Sequence, residues 1–437
     1  MRNRRILFLK HGGDIMTKKY VVLLLLMGSG LAFTGGDYYL ISFDKIALSD
    51  TFYAEGATFG DLNGDGETDI IAGPFWYEGP AYTKMHEYYT PAPFDPAGYS
   101  DNFFAHIYDF NKDGRPDIFI IGFPGQAATW YENPGAAEGH WPAHVVFETV
   151  DNESPAWTDL TGDGRPEIVC IADRRYGYVQ PDWSDPTQPW SFHPISPEGG
   201  WQRFTHGLGV GDVNGDGRMD ILEKDGWWEQ PPTLDGDPVW TKHDVAFGNG
   251  GGAQMYAYDV DGDGDNDIIT SLQAHGYGLA WFEHVEQDGR IDFVRPLIMN
   301  EQPEENRYGL AFAELHAIDL VDMDGDGLKD IVTGKRWWSH GAEGDPETNP
   351  RALLYWFKIV RHTDGQGVDF VPYLIDDDTG IGVQVVAGDV NGDQFPDVVV
   401  SNKKGTVVLL QKRREVSEAE WRQAQPRPYT PSEGDSH

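Results

Sequence analysis

Apolar residues in this chain come in short blocks rather than at the three- and four-residue spacing of a helix. Ile70 to Ala72, Ile118 to Ile121, Ile331 to Thr333 and Val398 to Val400 are continuous, mostly β-branched runs, the pattern of strands buried on both faces. Each run follows the same polar loop of nine residues. The loop first reads Asp61-Leu-Asn-Gly-Asp-Gly-Glu-Thr-Asp69, and its copies begin at Asp109, Asp159, Asp212, Asp259, Asp322 and Asp389, spaced by 48, 50, 53, 47, 63 and 67 residues. A strand-rich unit repeating at about 45 to 50 residues has the size of a propeller blade.

Within each repeat the order predicts an inner strand ending at the first loop residue, then the loop, then a second strand. The third strand is aromatic: Phe75-Trp-Tyr-Glu78, Thr129-Trp-Tyr-Glu132, Gly226-Trp-Trp-Glu229, Ala280-Trp-Phe-Glu283, Arg336-Trp-Trp338 and Tyr355-Trp-Phe357. An outer strand completes the unit. The last repeat ends after Thr406 to Gln411 without one, whereas Ile41 to Leu48 reads as an outer strand without its blade. Pairing the two would close a ring and remove its open sheet edges. The expected fold is therefore all-β: a seven-bladed β-propeller of four-stranded blades over residues 37–411, closed by an N-terminal outer strand. Segments 80–100 and 340–352, rich in Pro, Gly and Asp, read as surface insertions, and 412–437 as a polar, disordered tail.

At the N-terminus, Lys18 and Lys19 precede an apolar run from Val21 to Phe33 that is too short to cross a bilayer. Residues 1–36 read as a secretory signal, with Met16 a candidate start, which predicts a secreted or periplasmic protein with no membrane span once mature. The lone Cys170 lies in an apolar run and excludes an intramolecular disulfide.

Charge sharpens the picture. The chain carries 71 acidic against 33 basic residues, a formal net charge of −38, which argues against a nucleic-acid partner. Of those acids, 23 occupy positions one, three, five and nine of the seven loops, where they repel one another unless a cation sits among them. Oxygen ligands at those positions, with Gly at position six allowing a tight turn, suit calcium, which takes 6 to 8 oxygens at about 2.3 to 2.6 Å. The expected ligands are Asp61, Asn63, Asp65 and Asp69; Asp109, Asn111, Asp113 and Asp117; Asp159, Asp163 and Glu167; Asp212, Asn214, Asp216 and Asp220; Asp259, Asp261, Asp263 and Asp267; Asp322, Asp324, Asp326 and Asp330; and Asp389, Asn391, Asp393 and Asp397. Up to seven structural calcium sites follow. The third, with Thr161 and Glu167, and the seventh, with Gln394 in place of Gly, should be weakest.

At the other end of the inner strands polarity returns. Six residues before each loop stand Glu55, Phe103, Glu153, His206, Ala253, His316 and Val383, and eight before stand Asp101, Asp151 and Glu314. The turns between second and third strands, on the same face, carry Arg174-Arg175, Lys224, His275, Lys335-Arg336 and Lys403-Lys404. A ring of carboxylates, imidazoles and cations around one funnel fits an oxygen-rich or anionic small molecule.

The acidic loops resemble those of the VCBS and FG-GAP repeat families, which include the integrin α-subunit propeller; Phe59-Gly60 and Ala72-Gly73-Pro74 match almost literally, and the resemblance covers 41–411. It implies the fold and the calcium, and leaves the function open. Tyr99 to Phe104, Asp151 to Pro155, Arg203 to Gly209, Gly252 to Tyr256 and Leu315 to Asp319 resemble the propeller domain of aldos-2-ulose dehydratase, a family that joins its propeller to cupin domains and eliminates water from a keto-sugar. That resemblance implies a carbon–oxygen lyase on a carbohydrate or keto-sugar. In such a reaction His206 or His316 would remove the proton α to a carbonyl, Lys335 or Lys403 would stabilise the enolate, and Glu153 or His275 would protonate the leaving oxygen. The competing expectation is a carbohydrate-binding or adhesion module without catalysis.

Overall fold

The computed structural model describes residues 38–430 apart from 138, 249, 342, 343, 345, 348–350 and 363–366. The expected signal segment 1–36 and residues 431–437 lie outside the described residues. The fold is all-β and propeller-like, with four-stranded antiparallel blades. Five sheets have four strands each, and one has nine. The nine-stranded sheet spans repeats four and five, whose inner strands Leu208–Gly211 and Gln254–Tyr258 meet in parallel at Leu208 with Gln254 and Gly209 with Met255. That close approach needs glycine, since a Cβ on Gly209 would stand 1.9 Å from the Met255 carbonyl oxygen.

Each second strand starts on position nine of its loop, as in Asp117–Ile121 and Asp397–Asn402, and is buried along its whole length. The strand Tyr38–Ser49 pairs antiparallel with Gly405–Val416, register Tyr38 to Val416 through Ser49 to Thr406, so the first described strand is the outer strand of the last sheet. Apolar side chains form seven clusters, each packed mainly between neighbouring repeats. One joins Ile70, Phe75 and Tyr77 of the first repeat to Val399 and Val408 of the last. Cys170 is fully buried in another, and burial pushes its thiol pKa up.

Three expectations are corrected. Arg336-Trp337-Trp338 is a turn with one isolated bridge, Arg336 to Ile381, and the third strand of that sheet is Leu354–Arg361; two aromatic runs in one repeat could not both be that strand. The segment 80–100 is not wholly an insertion, because Lys84–Glu87 is the outer strand of the first sheet and Tyr88 behind it is fully buried. Nor is 412–437 simply a tail. The last strand runs to Val416, and a helix, Glu418–Ala424, follows behind its N-cap Ser417. Trp421 then packs on Tyr38 at 5.4 Å, and Tyr373 bonds Gln425 through its hydroxyl at 2.5 Å.

Candidate functional site

The two ends of the inner strands carry different chemistry. At the loop end, the first carboxylate folds its own loop: Asp61 accepts the Gly64 N–H at 2.7 Å and the Gly66 N–H at 2.9 Å. Glycine is not essential at position six, since Gln394 takes φ 71° there and still donates to Asp389 at 2.9 Å. Position nine does something the sequence did not suggest. In every repeat it is buried and accepts the backbone N–H of loop position two; in six of the seven it accepts a second from within or just beyond the third strand, and in the third repeat Glu167 takes the Thr161 N–H of its own loop at 3.3 Å instead. Asp220 takes those of Val213 and Gln230, both at 2.9 Å, and Asp397 those of Val390 at 3.1 Å and Gln411 at 2.6 Å. Burial pushes the carboxyls of Asp117, Glu167, Asp220 and Asp267 up to about 7 and that of Asp330 to about 8, against the lowering effect of these N–H donors.

In repeats two, four and seven the residue that closes this brace also reaches across to the previous repeat. Asn133 donates to the Leu62 carbonyl at 2.8 Å, Gln230 to Leu160 at 2.9 Å and Gln411 to Met323 at 3.0 Å. In loops five and six three carboxylates converge: one oxygen each from Asp259, Asp261 and Asp263, and from Asp322, Asp324 and Asp330, lie within 4.8 Å of one another. Lys358 also sits at the sixth loop, on Asp324 and 2.7 Å from Asp326.

Two glutamines span the middle of the wheel. Gln384 exchanges hydrogen bonds with the Ala105 N–H and C=O at 3.0 and 3.1 Å, and Gln254 bonds Ile318 N–H and the Val383 carbonyl at 2.9 and 3.1 Å. With His106, Trp157 and Asp319 they line a cavity of about 300 Å³.

At the other end lies the polar cluster. Glu153, His206 and His316 sit not on the inner strands but just before them, on segments leading into Ala156–Thr158, Leu208–Gly211 and Ile318–Val321; His275 sits in the turn between Asp267–Ser271 and Leu279–Gln287. His206, His275 and His316 each offer a ring nitrogen within 4.8 Å of the other two. Their ring centroids are 4.9, 5.8 and 4.6 Å apart, with the rings edge to face. Glu314 brings a carboxylate oxygen to 3.7 Å from both His275 and His316, and Ser339 donates to the same oxygen. Glu314 holds φ 67° and Trp338 φ 59°, non-glycine strain of the kind that gathers at functional sites.

The hydrogen bonds specify what the histidines can do. His206 Nδ1 lies 2.9 Å from the Phe204 carbonyl, which accepts only from an N–H, so in the neutral ring Nε2 carries the lone pair. That Nε2 lies 3.0 Å from a Glu153 oxygen. Two lone pairs cannot face each other at this distance without a proton or a metal cation to share. Burial, then the nearby charges of Arg336, His275 and His206, hold His316 well below the usual imidazole range, so it is neutral. Burial pushes Glu153 up, but the His206 hydrogen bond and surrounding positive charge outweigh it, leaving the carboxyl below its usual range and ionised at neutral pH.

Around this core, Glu55 Oε2, His275 Nδ1, Glu314 Oε1 and Arg336 Nε are all buried without a hydrogen bond within the protein. Four such atoms in one cluster exceed what a native interior leaves unexplained. Arg336 pairs with Glu55 at 2.5 Å, both fully buried, and burial raises the Glu55 carboxyl pKa. Sequence reasoning found Glu153, His206, His275 and His316, which the structure brings together. Lys335 and Lys403 are turned to other partners. The Lys335 ammonium is buried 2.6 Å from Glu347, and Lys403 donates to the Trp338 carbonyl at 2.7 Å. Arg174 and Arg175 point outward to Glu198. Ser339 had no signal in the sequence, because a serine after two tryptophans looks like any surface turn.

Three neutral or neutralisable imidazoles beside carboxylates are a donor set for a divalent transition metal such as zinc, which binds His₃ with one position open. The lone-pair clash at His206 and the orphaned His275 Nδ1 fit such an ion. Among the described residues no helix is long and apolar enough to cross a membrane.

No curated protein matches the chain significantly. Solved structures with a similar course of the chain include an Agrocybe aegerita lectin studied for recognition of non-reducing terminal N-acetylglucosamine (19% identity, TM-score 0.45, covering 81% of this chain and 84% of that one). Others are the rhamnogalacturonan lyase YesW (14%, 0.38, 85% and 72%) and a Bacillus licheniformis rhamnogalacturonan lyase (15%, 0.38, 85% and 72%). Residues 109–170, from the second acidic loop through the third and into the strand Glu167–Ala172, match the FG-GAP-like repeat family model.

Proposed function

We propose that this chain is a secreted or periplasmic seven-bladed propeller, braced by calcium at its loop end, that binds a sugar-derived ligand over the histidine cluster and eliminates water from it. Seven loops and seven inter-repeat clusters support the blade count; on this reading the nine-stranded sheet is two blades whose inner strands touch at two residue pairs. The converging carboxylates of loops five and six support calcium.

The observation that carries the functional reading is the convergence of His206, His275 and His316 with ionised Glu153. A divalent cation held by the three histidines would supply Lewis acidity toward a carbonyl or hydroxyl oxygen of the ligand. Glu153 is then the proton carrier. Its carboxylate takes the proton α to the carbonyl, the C–H electron pair becomes the new C=C bond, and Glu153 passes that proton to the β-hydroxyl oxygen, which leaves with the C–O electron pair as water. Arg336, buried beside Tyr99 and paired with Glu55, adds fixed positive charge where negative charge develops. Because imidazoles engaged by a cation cannot move protons, this assigns to Glu153 the base role that the sequence gave to His206 or His316.

The test is mass spectrometry of zinc-loaded protein incubated with keto-sugars and uronides, looking for loss of one water. Glu153→Gln should cut the rate about 100-fold or more. A ligand recovered bound but unchanged would leave a binding module in place of a lyase.

A further inference from the structure

Eight large hydrophobic side chains are exposed among the described residues, and only two are aromatic, Tyr99 and Phe204. Distant in sequence, both touch the same third ring: Phe123 lies 5.2 Å from Tyr99 and 5.8 Å from Phe204, centroid to centroid. The three rings make an arc at the border of the polar cluster. At one end Phe204, 47% exposed, stands two residues before His206 and takes the His206 Nδ1–H on its carbonyl. At the other end the Tyr99 ring faces the Lys403 ammonium at 4.8 Å and the Arg336 guanidinium at 5.8 Å.

We propose that the Tyr99, Phe123 and Phe204 arc is a second sugar subsite, so that the ligand is the end residue of an oligosaccharide rather than a free monosaccharide. This rests on the reading of the histidine cluster as a sugar site. Pyranose rings present C–H faces that lie on aromatic rings while their hydroxyls need polar partners at the ring edge. Both are supplied. A pocket of about 240 Å³ opens beside the arc, lined by Phe94, Tyr99, Ser100, Asp101, Phe123 and Gln126, an apolar floor with the exposed side chains of Asp101 and Gln126 at its edge. Arg203 lies over Phe204 at 5.9 Å and packs so closely on Gly125 that a Cβ there would meet its Nε at 2.3 Å. Neither the histidines nor Glu153 lines this pocket, so a ring held in it is a different ring from one held over them. The Lys403 ammonium beside Tyr99, held by the neutral carbonyl oxygens of Trp338 and Ser339, favours an acidic sugar in the chain.

The experiment is calorimetric titration of zinc-loaded wild type and Phe204→Ala with galacturonic acid and with linear tri-galacturonic acid. The proposal expects wild type to bind the trisaccharide at least tenfold more tightly than the monosaccharide, and Phe204→Ala to bring that ratio below threefold. Equal affinities in wild type, or an unchanged ratio in Phe204→Ala, would overturn the second subsite while leaving the histidine site standing. Binding of neither sugar would overturn both readings together. Phe204 is exposed, and a melting temperature matching wild type shows that the variant is folded.

Discussion

Replacing His316 by alanine tests the metal assignment most directly. The three ring nitrogens lie within 4.8 Å of one another. Tetrahedral zinc with Zn–N of about 2.0 to 2.1 Å places its ligand nitrogens about 3.4 Å apart, so the rings must close by up to about 1.4 Å. Small side-chain rotations achieve that at a cost of roughly 1 kcal/mol per ring, well below the gain from binding. At free zinc a thousand times Kd, wild type is stabilised by about 4.1 kcal/mol. With about 2.1 cal/mol/K of unfolding entropy per residue, a body of this size has about 0.8 kcal/mol/K in total, so the melting temperature rises by about 5 °C. Differential scanning calorimetry with and without zinc measures the increment, which cancels any loss of intrinsic stability in the variant. His316→Ala should lose most of the zinc increment and keep its response to calcium. An equal zinc increment in wild type and variant would sink the reasoning, because the zinc would then be bound elsewhere, most simply at the acidic loops.

The same structure sets three further outcomes. Gln230→Ala removes the bonds to the Leu160 and Met219 carbonyls, both 2.9 Å, and should cost about 2 kcal/mol, a fall of about 2 °C in melting temperature, whether or not calcium is present. Chelation with EGTA should lower the melting temperature by leaving the carboxylates of loops five and six facing one another; identical melting curves would show that backbone braces alone hold the loops. Burial lowers His106 to about 4, so the unfolded chain takes up the proton first as pH falls. Stability should be unaffected above pH 6.5 and decline between about 6.5 and 4, by on the order of 2 kcal/mol for this half-buried ring. His106→Gln should flatten that slope, and parallel pH curves for the two proteins would remove His106 as its cause.

The sequence by itself determined the repeat, the strand order and the placement of the acidic loops, because each depends on neighbours in the chain. The loop is a local object: the Asp61 carboxylate bonds amides three and five residues on, and the strand after it is marked by unbroken β-branched burial. Even the closing strand was legible, since Tyr38–Ser49 has an outer strand's pattern and no sheet of its own. Where a repeat offered two aromatic runs, local pattern could not choose between them, and Leu354–Arg361 won through its pairing with Asp330–Gly334. Position nine looked like one more ligand, but the N–H groups that donate to Asp220 lie seven and ten residues away, one in its own loop and one past the third strand, and only folding brings the second to it.

The candidate site divides in the same way. Alignment on the loops placed Glu153, His206 and His316 at one level of the wheel, because strands of similar length put equivalent positions at equivalent heights. It could not decide which way each side chain turns once it leaves the strand. Lys335 and Lys403 lie in the expected turns, yet their ammonium groups are turned to Glu347 and the Trp338 carbonyl. His275, from a different turn, completes the histidine cluster. Distances across the wheel depend on how the blades tilt and how far each turn folds inward, and those are set by packing between repeats that share no local sequence signal.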